Sequence, residues 1–112
     1  METCKVESCK HTQFKRVDEL DVVEAEELSI FFKMYADATR LKILHVLFKG
    51  EMCVQCIADE LDMSQSAISH QLAILKRNRI IKSRRDKKNM FYSLDDKHIE
   101  LIFNAAYEHI KE

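Results

Sequence analysis

The stretch Val54–Arg77, VQCIADELDMSQSAISHQLAILKR, decides the fold. Ile57, Ala58 and Leu61 fall on one side of a short helix over Val54–Leu61. Asp62 and Met63 then form a turn, and Ser64 stands where a hydroxyl caps the next helix, Gln65 to about Arg77. In that helix Ile68, Leu72 and Leu75 follow an i, i+4, i+7 stripe, the spacing of a core-facing surface. Its other face carries Gln65, Ser66, Ser69 and His70. Two short helices joined by a tight turn, the second polar on its outer face, make a helix-turn-helix pattern.

Directly after this pair the periodicity changes from helical to alternating. Ile80–Arg85 and Met90–Leu94 read as two strands, joined by a polar turn at Asp86–Asn89. A hairpin following a helix-turn-helix is a winged arrangement. Charge supports a nucleic-acid reading of this region. Residues 64–94 hold eight Lys and Arg against Asp86 alone, a local charge of +7, although the whole chain sums to −1. The compensating acids lie in residues 17–28 and in the C-terminal stretch 95–112. Short polar side chains near the start of a groove-inserted helix read base edges, so Gln65, Ser66, Ser69 and His70 are the expected base contacts. His70 would serve equally as a solvent-facing or helix-packing histidine. Lys76, Arg77, Arg84, Lys87 and Lys88 are the expected phosphate contacts. A solvated charged face is the plain alternative for a charge run by itself.

Flanking segments complete one mainly α-helical domain. Leu20, Val23, Leu28, Phe31, Phe32 and Tyr35 recur at helical steps between Val17 and about Ala36, with a break near Glu24. Asp37 caps a helix from Ala38 to Phe48, with Leu41, Leu44 and Phe48 expected inward. Gly50 lies just past its end, where a left-handed residue is needed most cheaply. A last helix runs from Asp95 to Lys111, with Ile99, Ile102, Phe103, Ala106 and Ile110 on one stripe. Residues 1–16 have no clear period and read as a flexible arm, leaving 17–112 as the domain.

Composition narrows the class further. The 112 residues include one glycine and no proline, which excludes collagen-like, Pro-rich and Gly/Ser-linker architectures and disfavours an all-β fold. No apolar run approaches the ~18 residues of a membrane span, and the first ten residues lack a secretory apolar segment. The expectation is a cytoplasmic protein without a membrane partner, whose four cysteines stay reduced.

Those cysteines fall in two places. Cys53 and Cys56 are three residues apart at a helix start, where two thiolates can meet one ion and where both pKa values should fall. Cys4 and Cys9 lie on the arm, with His11 as an alternative donor. Sulfur donors suit Cd²⁺, Pb²⁺ or Zn²⁺. A second donor set lies on the last helix. His109 and Glu112 share a face, whereas His98 is eleven residues from His109, about 16 Å along a helix. One protomer therefore cannot close a site from Asp96, His98, His109 and Glu112. An antiparallel pair of these helices across a homodimer axis can, giving a two-histidine, two-carboxylate zinc shell. Packing cysteines and exposed polar residues are the respective plain readings.

Asp37–Leu44, Glu51–Ala58, Ser66–Leu72 and Phe91–Leu94, in this order, resemble the ArsR/SmtB family of bacterial metalloregulators over residues 24–112. The resemblance implies a winged-helix homodimer, with an α-helical dimer interface from its first and last helices. It also implies a repressor that leaves its operator when metal binds. The Asp-x-His…His-x-x-Glu spacing matches the zinc site of the zinc-responsive branch. Two departures stand out: Ala38 replaces a frequent proline, and Cys56 follows Gln55 where the family often has Asp after Cys or Gly.

The resulting expectation is a metal-responsive repressor on a palindromic operator, released by Zn²⁺ or by Cd²⁺ or Pb²⁺. A thiol-redox repressor using Cys53 and Cys56 is the runner-up. A metal buffer leaves the basic helix and wing without a role. An enzyme is not expected, because no nucleophile–base pair or phosphate-binding loop is present and the four-donor set leaves no open position.

Overall fold

The computed structural model of the chain describes residues 17–112. In chain order these form α1 (Val22–Lys33), α2 (Ala38–Leu47), β1 (Met52–Cys53), α3 (Val54–Leu61), α4 (Gln65–Arg77), β2 (Ile81–Asp86), β3 (Asn89–Leu94) and α5 (Lys97–Lys111). The expected arm, with Cys4, Cys9 and His11, lies outside the described residues.

Helix α1 starts at Val22, five residues later than the periodicity implied. The expected break near Glu24 is absent, because Glu24 lies in the first turn as half of the cap. Asp21 accepts the Glu24 N–H while the Glu24 carboxylate takes the Asp21 N–H, a reciprocal capping box that fixes the helix start. Asp37 caps α2 through the Arg40 N–H at 3.1 Å, as expected. The inner face of α2 is different from the expected one. Ile43, Leu44, Val46 and Leu47 are buried, while Leu41 and Phe48 are only partly covered. The reason is position: α2 packs against α3, α4 and β3 together, so its buried arc is wider than a single stripe. Leu41 and Phe48 turn instead toward α5, where they line a groove of about 560 Å³ with His45, Phe103 and Tyr107.

Gly50 has φ +132°, and nothing lies within 4 Å of where a Cβ would be. Its requirement is therefore backbone conformation, not space. Three non-glycine residues also have positive φ among the described residues: Asp62 (56°), Arg79 (60°) and Lys87 (61°). Asp62 is the left-handed C-cap of α3 and turns the chain into α4.

The wing is tighter than expected. Asp86 pairs with Asn89, so only Lys87 and Lys88 form the loop. A third strand was not foreseen: β1 pairs antiparallel with β3, giving the order β1-β3-β2. Ile57, Ile68, Leu72, Leu75, Ile80, Ile81 and Ile99 join Ile43, Leu44 and Leu47 of α2 in one core. Helix α5 begins at Lys97 rather than Asp95, because Asp96 serves as its N-cap. Tyr35 donates to the Ile99 carbonyl at 3.0 Å, tying the end of α1 to α5. Burial, with the nearby Asp96 charge, pushes the Tyr35 phenol up to about 12. Arg40 donates to the Lys33 and Met34 carbonyls and to Gln71, holding α1, α2 and α4 together. No helix among the described residues is long and apolar enough to cross a membrane.

Candidate nucleic-acid interface and thiolate pair

Helix α4 is held by its apolar stripe and presents its polar face outward. Ile68, Leu72 and Leu75 are buried, whereas Gln65, Ser66, Ser69 and His70 are exposed. The Ser64 hydroxyl accepts the Ala67 N–H at 3.1 Å, so the first turn, where the expected base contacts lie, is fixed. Gln65 donates to Gln55 at 2.8 Å across the two helices, and Ser66 contacts the Ser64 hydroxyl at 3.3 Å. Lys76 and Arg77 are exposed at the far end of α4, and Lys87 and Lys88 are exposed at the wing tip. Arg84 is placed differently. Its guanidinium donates to the Glu51 carboxylate through Nε at 3.0 Å and through Nη2, and lies 5.1 Å from the Phe91 ring centroid. The Arg84 hydrogen bond lowers the pKa of that carboxylate.

The cysteine pair lies between helix pair and wing. Cys53 ends β1 and is also the N-cap of α3, its sulfur accepting the Cys56 N–H at 3.4 Å. The two sulfurs are 3.4 Å apart. Cys56 is exposed and Cys53 partly so, which is not the placement of cysteines used for packing. The expected fall in thiol pKa holds for one of them only. The Cys56 N–H, and then the Cys56 thiol, lower Cys53. Cys56 is raised, first by its bond to Cys53 and then by the Cys53 charge.

The donors on α5 occupy its two ends. The Asp96 carboxylate caps the helix through the His98 N–H at 2.9 Å and meets His98 Nδ1 at 3.2 Å. His109 and Glu112 are exposed at the other end. Among the described residues no three metal-binding side chains come together within one chain.

The family profile described as "Bacterial regulatory protein, arsR family" matches residues 37–83. The transcriptional repressor SmtB homolog of Synechocystis sp. is 37% identical over 89 residues, covering 80% of this chain and 67% of that protein. The chain belongs to the ArsR/SmtB family. A cadmium resistance transcriptional regulatory protein CadC homolog from Staphylococcus aureus is 40% identical over 82 residues, covering 72% of this chain and 68% of that protein. The crystal structure of the antimony-specific repressor AntR superposes with a TM-score of 0.75 at 30% identity, covering 88% of this chain and 89% of that one. As an ArsR/SmtB protein the chain is a winged-helix, DNA-binding transcriptional regulator and not an enzyme. Within this ArsR/SmtB fold two features escaped sequence reading, the strand β1 and the Glu51–Arg84 pair. A two-residue strand carries no period, and the pair spans 33 positions, so neither leaves a local signal.

Proposed function

We propose that the protein is a metal-responsive transcriptional repressor that binds a palindromic operator as a homodimer and releases it on binding Zn²⁺, Cd²⁺ or Pb²⁺. The observation that carries this reading is the sulfur pair of partly exposed Cys53 and exposed Cys56, 3.4 Å apart at the head of the helix pair. Two sulfurs on a tetrahedral Zn²⁺ with bonds near 2.3 Å stand about 3.8 Å apart, so the pair is almost preset for such an ion. Cys4, Cys9 and His11 are the proposed further donors. Asp96 and His98 of one protomer, with His109 and Glu112 of its partner, form the proposed second site. The contact already present between Asp96 and His98 supports treating them as one half of it. The exposed apolar side chains of α1 and α5 support a dimer face.

On DNA, Gln65, Ser66, Ser69 and His70 face the bases, and Lys76, Arg77, Lys87 and Lys88 meet phosphates. Arg84, whose side chain stays 55% exposed, backs the wing and shares its charge between Glu51 and phosphate. A hundredfold loss of operator affinity requires a coupling of about 2.7 kcal/mol between metal and DNA, and DNA then weakens metal binding equally. Operator affinity with and without zinc, in the full chain, in Cys53→Ser and in His98→Ala, tests the reading. Loss of the zinc effect in either variant supports it and identifies the regulatory site. No zinc effect in the full chain rejects it.

The lowered Cys53 thiol beside Cys56 also supports the thiol-redox alternative. Release by peroxide that persists in chelator, and that is reversed by dithiothreitol, would favour that second reading.

A further inference from the structure

Glu51 is an anomaly in the reading head. An acid placed against one of the cations of a phosphate-binding segment subtracts from DNA attraction. Nor does stability account for it, since solvent-exposed ion pairs contribute little. What a forked Arg–carboxylate pair adds beyond energy is fixed orientation.

The geometry gives that orientation a use. Cys53 pairs with Phe91 in the β1–β3 ladder, and Phe91 pairs with Arg84 in the β2–β3 ladder. The Arg84 guanidinium lies over the Phe91 ring and grips Glu51, which precedes Cys53 in the chain by one intervening residue, Met52. Cys53, Phe91, Arg84 and Glu51 therefore close a ring that contains the backbone bearing one sulfur of the pair and the base of the wing. The backbone part of this ring is slight, because β1 has two residues. A ladder that short is marginal alone, so side chains must hold the edge. Cys53 is also the N-cap of α3, so any shift of its sulfur acts on helix and strand at once.

We propose that Glu51 is a positioning residue that, through Arg84, couples the state of the Cys53–Cys56 pair to the placement of the wing. Ligation at the pair is then felt at Lys87 and Lys88 as well as at α4. This inference rests on the pair being the effector site.

The test uses the full chain under reducing conditions, Cd²⁺ as the probe, and a duplex selected from random DNA by the metal-free protein. Three quantities are read: the sulfur-to-cadmium absorbance, duplex affinity with and without Cd²⁺, and the Arg84 Nε–H resonance. In the unaltered chain, Cd²⁺ shifts that resonance and lowers duplex affinity by about a hundredfold. Glu51→Gln keeps Cd²⁺ affinity within about threefold, as an exposed ion pair outside the donor set should. Its coupling ratio nevertheless falls to about tenfold or less. Glu51→Asp, which keeps the charge, restores much of the ratio. Arg84→Lys keeps the cation but loses the fork, and it reduces the ratio as Glu51→Gln does. An undiminished ratio in either Glu51→Gln or Arg84→Lys overturns the proposal, as does an Arg84 resonance indifferent to Cd²⁺. If the unaltered chain shows no sulfur-to-cadmium band, or no change in duplex affinity, the effector reading itself fails and this inference with it.

Discussion

The helix pair with its wing and the two outer helices are built on opposite terms. In α3, α4 and β2 the large apolar side chains are covered: Ile57, Ile68, Leu72, Leu75 and Ile81 are all at 1% exposure or less. In α1 no residue is buried, and Val22 and Val23 stand 81% and 63% exposed. On α5, Tyr107 and Ile110 are 57% and 75% exposed. The first region is covered within one chain, sharing its core with α2 and with Ile99 of α5. The other leaves large apolar side chains open to solvent on both helices. On the proposed homodimer, a second copy would cover these open faces and so act on the helix pair and wing through α1 and α5.

Leu72→Ala should break this contrast most severely, removing about 2–5 kcal/mol of stability in urea unfolding, because it empties a site with no solvent access. A double substitution on the open side, Leu28→Glu with Ile110→Glu, should leave the helical circular dichroism intact. It should yield monomers in sedimentation and weaken DNA binding about a hundredfold, near 2.7 kcal/mol. Persistence of dimers would move the interface elsewhere. Ser64→Ala should cost about 1 kcal/mol through loss of the Ala67 cap. Lys87→Ala should lower DNA affinity on all sequences alike and reduce the slope of log affinity against log salt by about 1.

The smallest effect concerns the two sulfurs. Iodoacetamide should label Cys53 at lower pH than an ordinary thiol and Cys56 only at higher pH, as read by peptide mass spectrometry. Since folding lowers the Cys53 pKa, its contribution to stability is complete above the unfolded thiol value, about 8.5, and is lost as pH falls through the lowered one. Cys56→Ala should return Cys53 only part of the way, because the main cause, the backbone N–H of residue 56, remains.

What could be read from sequence follows the same division. Val54–Leu61, Ser64, Gln65–Arg77 and the Asp37 cap came out as expected, since each depends on side chains a few positions apart. The buried arc of α2 did not, because three neighbouring elements set it. The start of α1 was missed by reading a capping box as a break. At the thiolate pair the spacing was legible but the opposed pKa shifts were not, because they arise from 3.4 Å contacts within one helical turn. Arg84 was legible as a cation on the wing, and its partner Glu51 was not.

The left-handed residues have a consequence for how this protein can change. Among the described residues, two of the three non-glycine positions with positive φ carry cations, Arg79 just after α4 and Lys87 at the wing tip. An L-residue with a side chain is disfavoured there by roughly 1–2 kcal/mol, which glycine avoids. Lys87→Gly should therefore give a more stable hairpin with a poorer grip on DNA. Selection for thermal robustness alone would drift toward glycine at this tip. Under the proposed phosphate contact, lysine at this tip trades loop stability for grip on DNA.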